Sequence, residues 1–135
     1  MGRDPVASAG STRASAAIGF GSPSGDSGVT RLDLNDILVR HPQATFLMRI
    51  AGDAMREMGI GSGDLVLIDR AIPPVHGHVV VAVVGDELVC RQLNRQGTDL
   101  RLKAPSAEAE DILSREGAEF QVWGVVTQVI KSMPV

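Results

Sequence analysis

The stretch that decides the fold begins with Gly52-Asp53-Ala54-Met55 and ends in the extended run Leu88-Val89-Cys90-Arg91-Gln92-Leu93. The first quartet follows the strand-like Thr45-Phe46-Leu47-Met48-Arg49-Ile50, and Gly52-Asp53 stops that strand. Met55 to Met58 is long enough for one helical turn, which Gly59 closes. Gly61-Ser62-Gly63-Asp64 then turns the chain into Leu65-Val66-Leu67-Ile68-Asp69, a β-branched run suited to a buried strand. Pro73-Pro74 marks a loop. The second half opens on a hairpin: Val79 to Val84 is nearly all valine, Gly85-Asp86 turns, and Glu87 to Leu93 returns.

Outward from this centre the pattern persists. Gly97 turns into Asp99-Leu100-Arg101-Leu102-Lys103, which alternates with period two. Phe120 to Ile130 is a long apolar run that reads as the last strand. Residues 107–116 have the composition of a helix. Upstream, Asp33 caps a short helix through Asn35–Arg40, which must end before Pro42. Residues 1–28 are dominated by Ser, Ala and Gly and bury too little apolar surface to offset their ordering entropy, so they read as a flexible arm. The expectation is a mainly β domain over 29–135 behind that arm.

Composition narrows the function. Hydrophobic residues make up 44% of the 135 and charged residues 21%, as in an ordinary globular domain. A net charge of −3 gives no basic footprint for sequence-specific DNA binding. Three Phe, one Trp and no Tyr are too few for a platform that stacks single-stranded bases. No apolar run reaches the ~18–20 residues of a membrane span, and no basic segment leads into an apolar export signal. The one cysteine, Cys90, has no internal partner for a disulfide. A cytoplasmic protein is the expectation.

The order of these segments resembles the LexA/UmuD group of self-cleaving serine peptidases, most closely its UmuD branch. The resemblance rests on Gly19-Phe20, Ser22-Pro23, Arg31-Leu32-Asp33-Leu34-Asn35, His41-Pro42-Gln43-Ala44-Thr45, Gly52-Asp53-Ala54-Met55, Gly59-Ile60, Gly63-Asp64-Leu65, His76-Gly77 and Val122-Trp123-Gly124-Val125-Val126. It covers about residues 19–133. It implies a signal-peptidase-like β domain of short twisted sheets. It also favours an extended loop over 107–116, with a short strand at Ile112-Leu113, over the helix that composition suggests. The partners it implies are a second copy of the chain (partly through the C-terminal strand), a Y-family translesion polymerase, the recombinase filament and the sliding clamp. Its function would be that of an SOS-response accessory subunit. No cofactor or metal is expected.

In that family a Ser follows the Gly-Asp of the turn and a Lys on a later strand is the general base. Here those positions hold Ala54 and Arg91, with Gly52, Asp53 and Met55 as turn support. A methyl group cannot form an acyl-enzyme. A guanidinium with a pKa of about 12 or more stays protonated and cannot accept the proton. The family's cleavage point falls at Ile18–Gly19, where a small residue usually precedes the bond. The chain is therefore expected to be an inactive relative. Three alternatives stay open: a residual self-peptidase with another nucleophile such as Ser62, an engineered-dead one, and a regulator that forms heterodimers with an active UmuD or a LexA-like repressor. Ser62 reads more simply as a turn residue, His76 and His78 as solvated loop residues, and Cys90 as a small buried hydrophobe. Arg91 needs solvent or a carboxylate such as Asp53 or Glu57.

Overall fold

A computed structural model describes residues 31–106, 109–114 and 120–135. The expected arm and the Ile18–Gly19 bond lie outside these residues. The chain divides into two units, Met1–Pro42 and Gln43–Val135.

In the first unit the helix α1 spans Leu34–Leu38, one residue earlier at its start and two shorter at its end than expected. The Asp33 carboxylate accepts the Asn35 N–H at 3.0 Å, which satisfies one of the open donors of the first turn. Val39 is already extended, and Pro42 soon follows, so the helix stops there.

The second unit is one antiparallel sheet of seven strands: β1 (Thr45–Arg49), β2 (Leu65–Asp69), β3 (Val79–Val84), β4 (Glu87–Gln96), β5 (Asp99–Lys103), β6 (Ile112–Ser114) and β7 (Phe120–Ile130). Their order across the sheet is β1-β2-β7-β3-β4-β5-β6. The fold class expected from the sequence is the one found. Ile112–Ser114 pairs with β5 as a strand, so the extended alternative holds there and the helix suggested by composition does not.

Both faces of the central strands carry a buried cluster. Val81 and its partner Cys90 join Met55, Ile60, Val66 and Ile68 in one buried cluster. Val80 and Ala82 join Leu93, Leu102, Phe120 and Val125 in the other. Successive residues of a strand point to opposite faces, so a strand covered on both sides is apolar throughout, as the valine run of β3 is. Val66, Ile68, Val80, Val81 and Leu102 are fully buried, each contributing about 1.5–3 kcal/mol by leaving water.

The last strand, β7, lies inside the sheet between β2 and β3 and carries two extra residues. Leu67 pairs with Gln128 but Ile68 with Val126, leaving Thr127 between them. Val81 pairs with Gly124 but Ala82 with Val122, leaving Trp123. Such bulges bend the strand and sharpen its twist. Gly124 follows the second bulge at a close approach, where an added Cβ would lie 2.5 Å from Ile68 Cγ2.

Candidate functional site

The turn after β1 is tied down mainly by backbone. Arg56 N–H donates to the Asp53 carbonyl at 3.1 Å, and Met58 and Ile60 N–H groups both donate to the Met55 carbonyl. One 3-10 turn, Arg56–Met58, results, and Gly59 closes it at φ 88°, a left-handed value that suits glycine. The expected helical turn and its stop are thus both present. Met55 is buried, with 3% of its surface exposed, and anchors the turn in the core. Ala54, just before it, is half-buried.

The support of the turn differs from expectation in one respect. Among the described residues the Asp53 carboxylate makes no hydrogen bond; its carbonyl does the work. The hydroxyl of Ser62 instead accepts the Gly52 N–H at 3.3 Å, across ten positions of sequence. Ser62 therefore holds the turn carrying Ala54 to the following loop. The only trace of this in the sequence is a hydroxyl set between two glycines. Beside it, the Asp64 carboxylate accepts the Gly61 N–H at 2.7 Å and pairs with Lys131. These contacts hold its pKa below the ordinary carboxylate value, the Lys131 bond contributing most.

Arg91 sits in the middle of β4, across from Val80 of β3. Val89 and Leu93 flank it on the same face, and both belong to the second cluster or pack against it. Cys90 points the other way, into the cluster that holds Met55. The chain neighbours of Ala54 and Arg91 thus share one core. Neither expected carboxylate meets Arg91 among the described residues. Its guanidinium is half-buried, donates to the Cys90 carbonyl at 2.8 Å, and leaves a buried Nε without an acceptor. The strand register explains this: it sets Arg91 among apolar side chains, and the nearest acceptor is the backbone of its own strand.

The other candidates have structural partners. The Nδ1 of His76 accepts the Arg95 N–H at 2.9 Å, and that of His78 accepts the Val75 N–H at 3.1 Å. Both rings brace the loop before β3 and are more than solvated loop residues. Among the described residues no group of three His, Cys, Asp or Glu is placed to hold a metal. Cys90 is buried, and desolvation pushes its thiol up to about 11 against a weaker opposing pull from Arg91. Such a thiol is a poor nucleophile at neutral pH.

A feature absent from the sequence reading is a stack beside the second bulge. Arg70 lies over the Trp123 ring, and Phe46 meets the same ring edge-on with centroids 5.2 Å apart.

Comparison with known proteins gives the family. The Peptidase S24-like family matches residues 10–127. The chain is 40% identical to "Protein SamA" of Salmonella typhimurium over 83% of its own length and 77% of the relative's. It is 36% identical to "Protein ImpA" of Escherichia coli over 83% of this chain and 76% of that one. A "LexA repressor" of Cupriavidus taiwanensis is 33% identical over 72% of this chain and 45% of its own. With its seven-stranded antiparallel sheet and a match that runs through both the turn of Ala54 and the strand of Arg91, the chain belongs to the Peptidase S24-like family, on its UmuD-like side.

Proposed function

We propose that this protein is an accessory subunit of SOS mutagenesis that acts by binding partners, with the Ser-Lys self-cleavage of its family disabled. The observation that carries the reading is the pair of residues at the two chemical positions. Ala54, in the turn after β1, has no oxygen to attack a peptide carbonyl. Arg91, in the strand that supplies the family's base, holds a cation. Burial lowers a lysine pKa from about 10.4 by several units and frees its amine, but leaves a guanidinium protonated. Two features of the turn support this reading: Met55 is buried and Gly52 is tied to Ser62.

The partners that this reading names are a Y-family translesion polymerase, the recombinase filament and a second copy of the chain, with the sliding clamp as a further one. The test is reconstruction of the chemistry. The parent chain, incubated with activated recombinase filament and nucleotide, should stay whole on a gel. Ala54→Ser with Arg91→Lys should cleave near Ile18–Gly19, faster as pH rises and the lysine loses its proton. Cleavage of the parent chain that disappears in Ser62→Ala would overturn the reading and make the protein a peptidase with a relocated nucleophile.

A further inference from the structure

The strand β4 outruns its partner. Its pairing with β3 ends at Gln92, while β4 itself continues to Gln96. On its other side β5 pairs with it over that whole extension. The backbone groups left on the β3 side must find partners in the loop that leads into β3.

That loop supplies them. The Leu93 carbonyl accepts the Gly77 N–H, and the Leu93 N–H donates to the His78 carbonyl, both at 2.8 Å. Alternate residues of a strand turn their backbone to the same side, so Arg95 is next. Its N–H goes to the Nδ1 of His76 at 2.9 Å. An imidazole thus takes the place of a missing rung of the ladder. The second ring closes the turn itself. The His78 N–H donates to the Val75 carbonyl at 3.1 Å, and the Val75 N–H donates back to the Nδ1 of His78 at 3.1 Å.

Both rings therefore use Nδ1 as an acceptor, and each neutral ring carries its proton on Nε2. An imidazolium has a proton on both nitrogens and accepts nothing. We propose that His76 and His78 form an acid-released latch on the entry to β3. A solvent proton arriving on Nδ1 of His76 breaks the bond to Arg95 and opens that N–H of β4 to water. A proton on Nδ1 of His78 releases Val75 in the same way. The backbone bonds between Gly77, His78 and Leu93 stay, so the change is confined to the loop and the end of β4.

The surrounding charges give a protonated ring nothing to hold. On β4 they are Glu87, Arg91 and Arg95, on β5 Asp99, Arg101 and Lys103, and on the chain leaving β2 Asp69 and Arg70. Arg91 is bonded to the Cys90 carbonyl and Arg70 to that of Trp123, while Arg101 and Lys103 pair with Asp111. Among the described residues no carboxylate is bonded to either ring. The residue that His76 braces, Arg95, is itself a cation.

The test is NMR on the full chain. In the neutral rings the proton should sit on Nε2. Between about pH 7.5 and 5, where histidine ordinarily changes charge, the Arg95 and Val75 amides should lose about three- to tenfold of their protection against exchange. This is after correction for the intrinsic pH dependence of exchange. The Ile50 amide, held by the Asp64 carbonyl, should keep its protection. His76→Asn sets an amide oxygen near the place of Nδ1, an acceptor throughout this range. It should keep Arg95 protected and remove its acid response, and His78→Asn should do the same for Val75. His76→Leu should expose the Arg95 amide at both ends of the range. Neutral rings with the proton on Nδ1 would overturn the proposal. So would Arg95 and Val75 amides that follow Ile50 throughout, or an acid response that survives in both Asn variants. The titration of the parent chain decides even where a variant does not fold.

Discussion

Arg70 lays its guanidinium 4.3 Å from the centroid of the Trp123 ring, and its Nε donates to the carbonyl of that same residue at 2.8 Å. Trp123 is the extra residue of a bulge, so one side chain holds both the ring and the irregular backbone of β7. Arg70→Ala should cost about 1 kcal/mol, since an exposed cation–π contact contributes about 0.5–1 kcal/mol and the hydrogen bond adds to it. Trp123 is the sole tryptophan, so its fluorescence in a urea titration reads out both stability and ring environment. Arg70→Lys should keep part of the charge effect and lose the Nε bond. An unchanged midpoint and spectrum in Arg70→Ala would assign the stack no role.

Gly124→Ala should destabilise the fold by about 1–3 kcal/mol, because the new methyl meets Cγ2 of Ile68, a fully buried side chain. Combining it with Ile68→Ala provides the check. The double variant should lose less than the two singles together, since the methyl enters space that Ile68 vacated. Strict additivity in urea melts would place the cost elsewhere.

Cys90 should be silent to thiol reagents in the folded chain. Its thiol is pushed from 9.0 up to about 11, which leaves roughly a hundredfold less thiolate at pH 8, and burial slows access further. Labelling should appear only as urea unfolds the protein. The linkage has a definite sign. The folded state keeps its proton while the unfolded thiol loses one, so stability falls as pH rises from 9 toward 11. Cys90→Ala should flatten that fall.

Asp64 gives the opposite dependence. Its pKa lies below the ordinary 3.8, through Lys131 first and the Gly61 N–H next. The tie is present above that value and is lost as pH falls through the depressed one. Asp64→Asn should be less stable than the parent chain at neutral pH, with the two acid-unfolding curves converging at the acid end. A gap that persisted in acid would mean that shape, not charge, matters at this site.

How far the sequence reveals this molecule depends on the range of the forces involved. The bounds of β2, β3, β5 and β7 follow from local signals: β-branched runs and turns at Gly63-Asp64, Gly85-Asp86 and Gly97. The helix cap at Asp33 is equally local. The bulges at Trp123 and Thr127 have no local mark, because they arise from how β7 fits between two strands distant in sequence. The bond from Ser62 to Gly52 is hidden for the same reason. Arg91 shows the sharpest difference. Chemistry requires a buried cation to have a partner, but which acceptor lies in reach depends on strand register, and register supplied a carbonyl in place of Asp53 or Glu57.

Because the final strand threads between β2 and β3, a nascent chain still lacking residues 120–130 would hold two separate ribbons, β1–β2 and β3 through β6, with no backbone ladder joining them. Emergence of residues 120–130, not gradual growth of the sheet, then becomes the moment at which the sheet is joined. Until that moment the inner edges of β2 and β3 are exposed to any other unpaired strand in the cell.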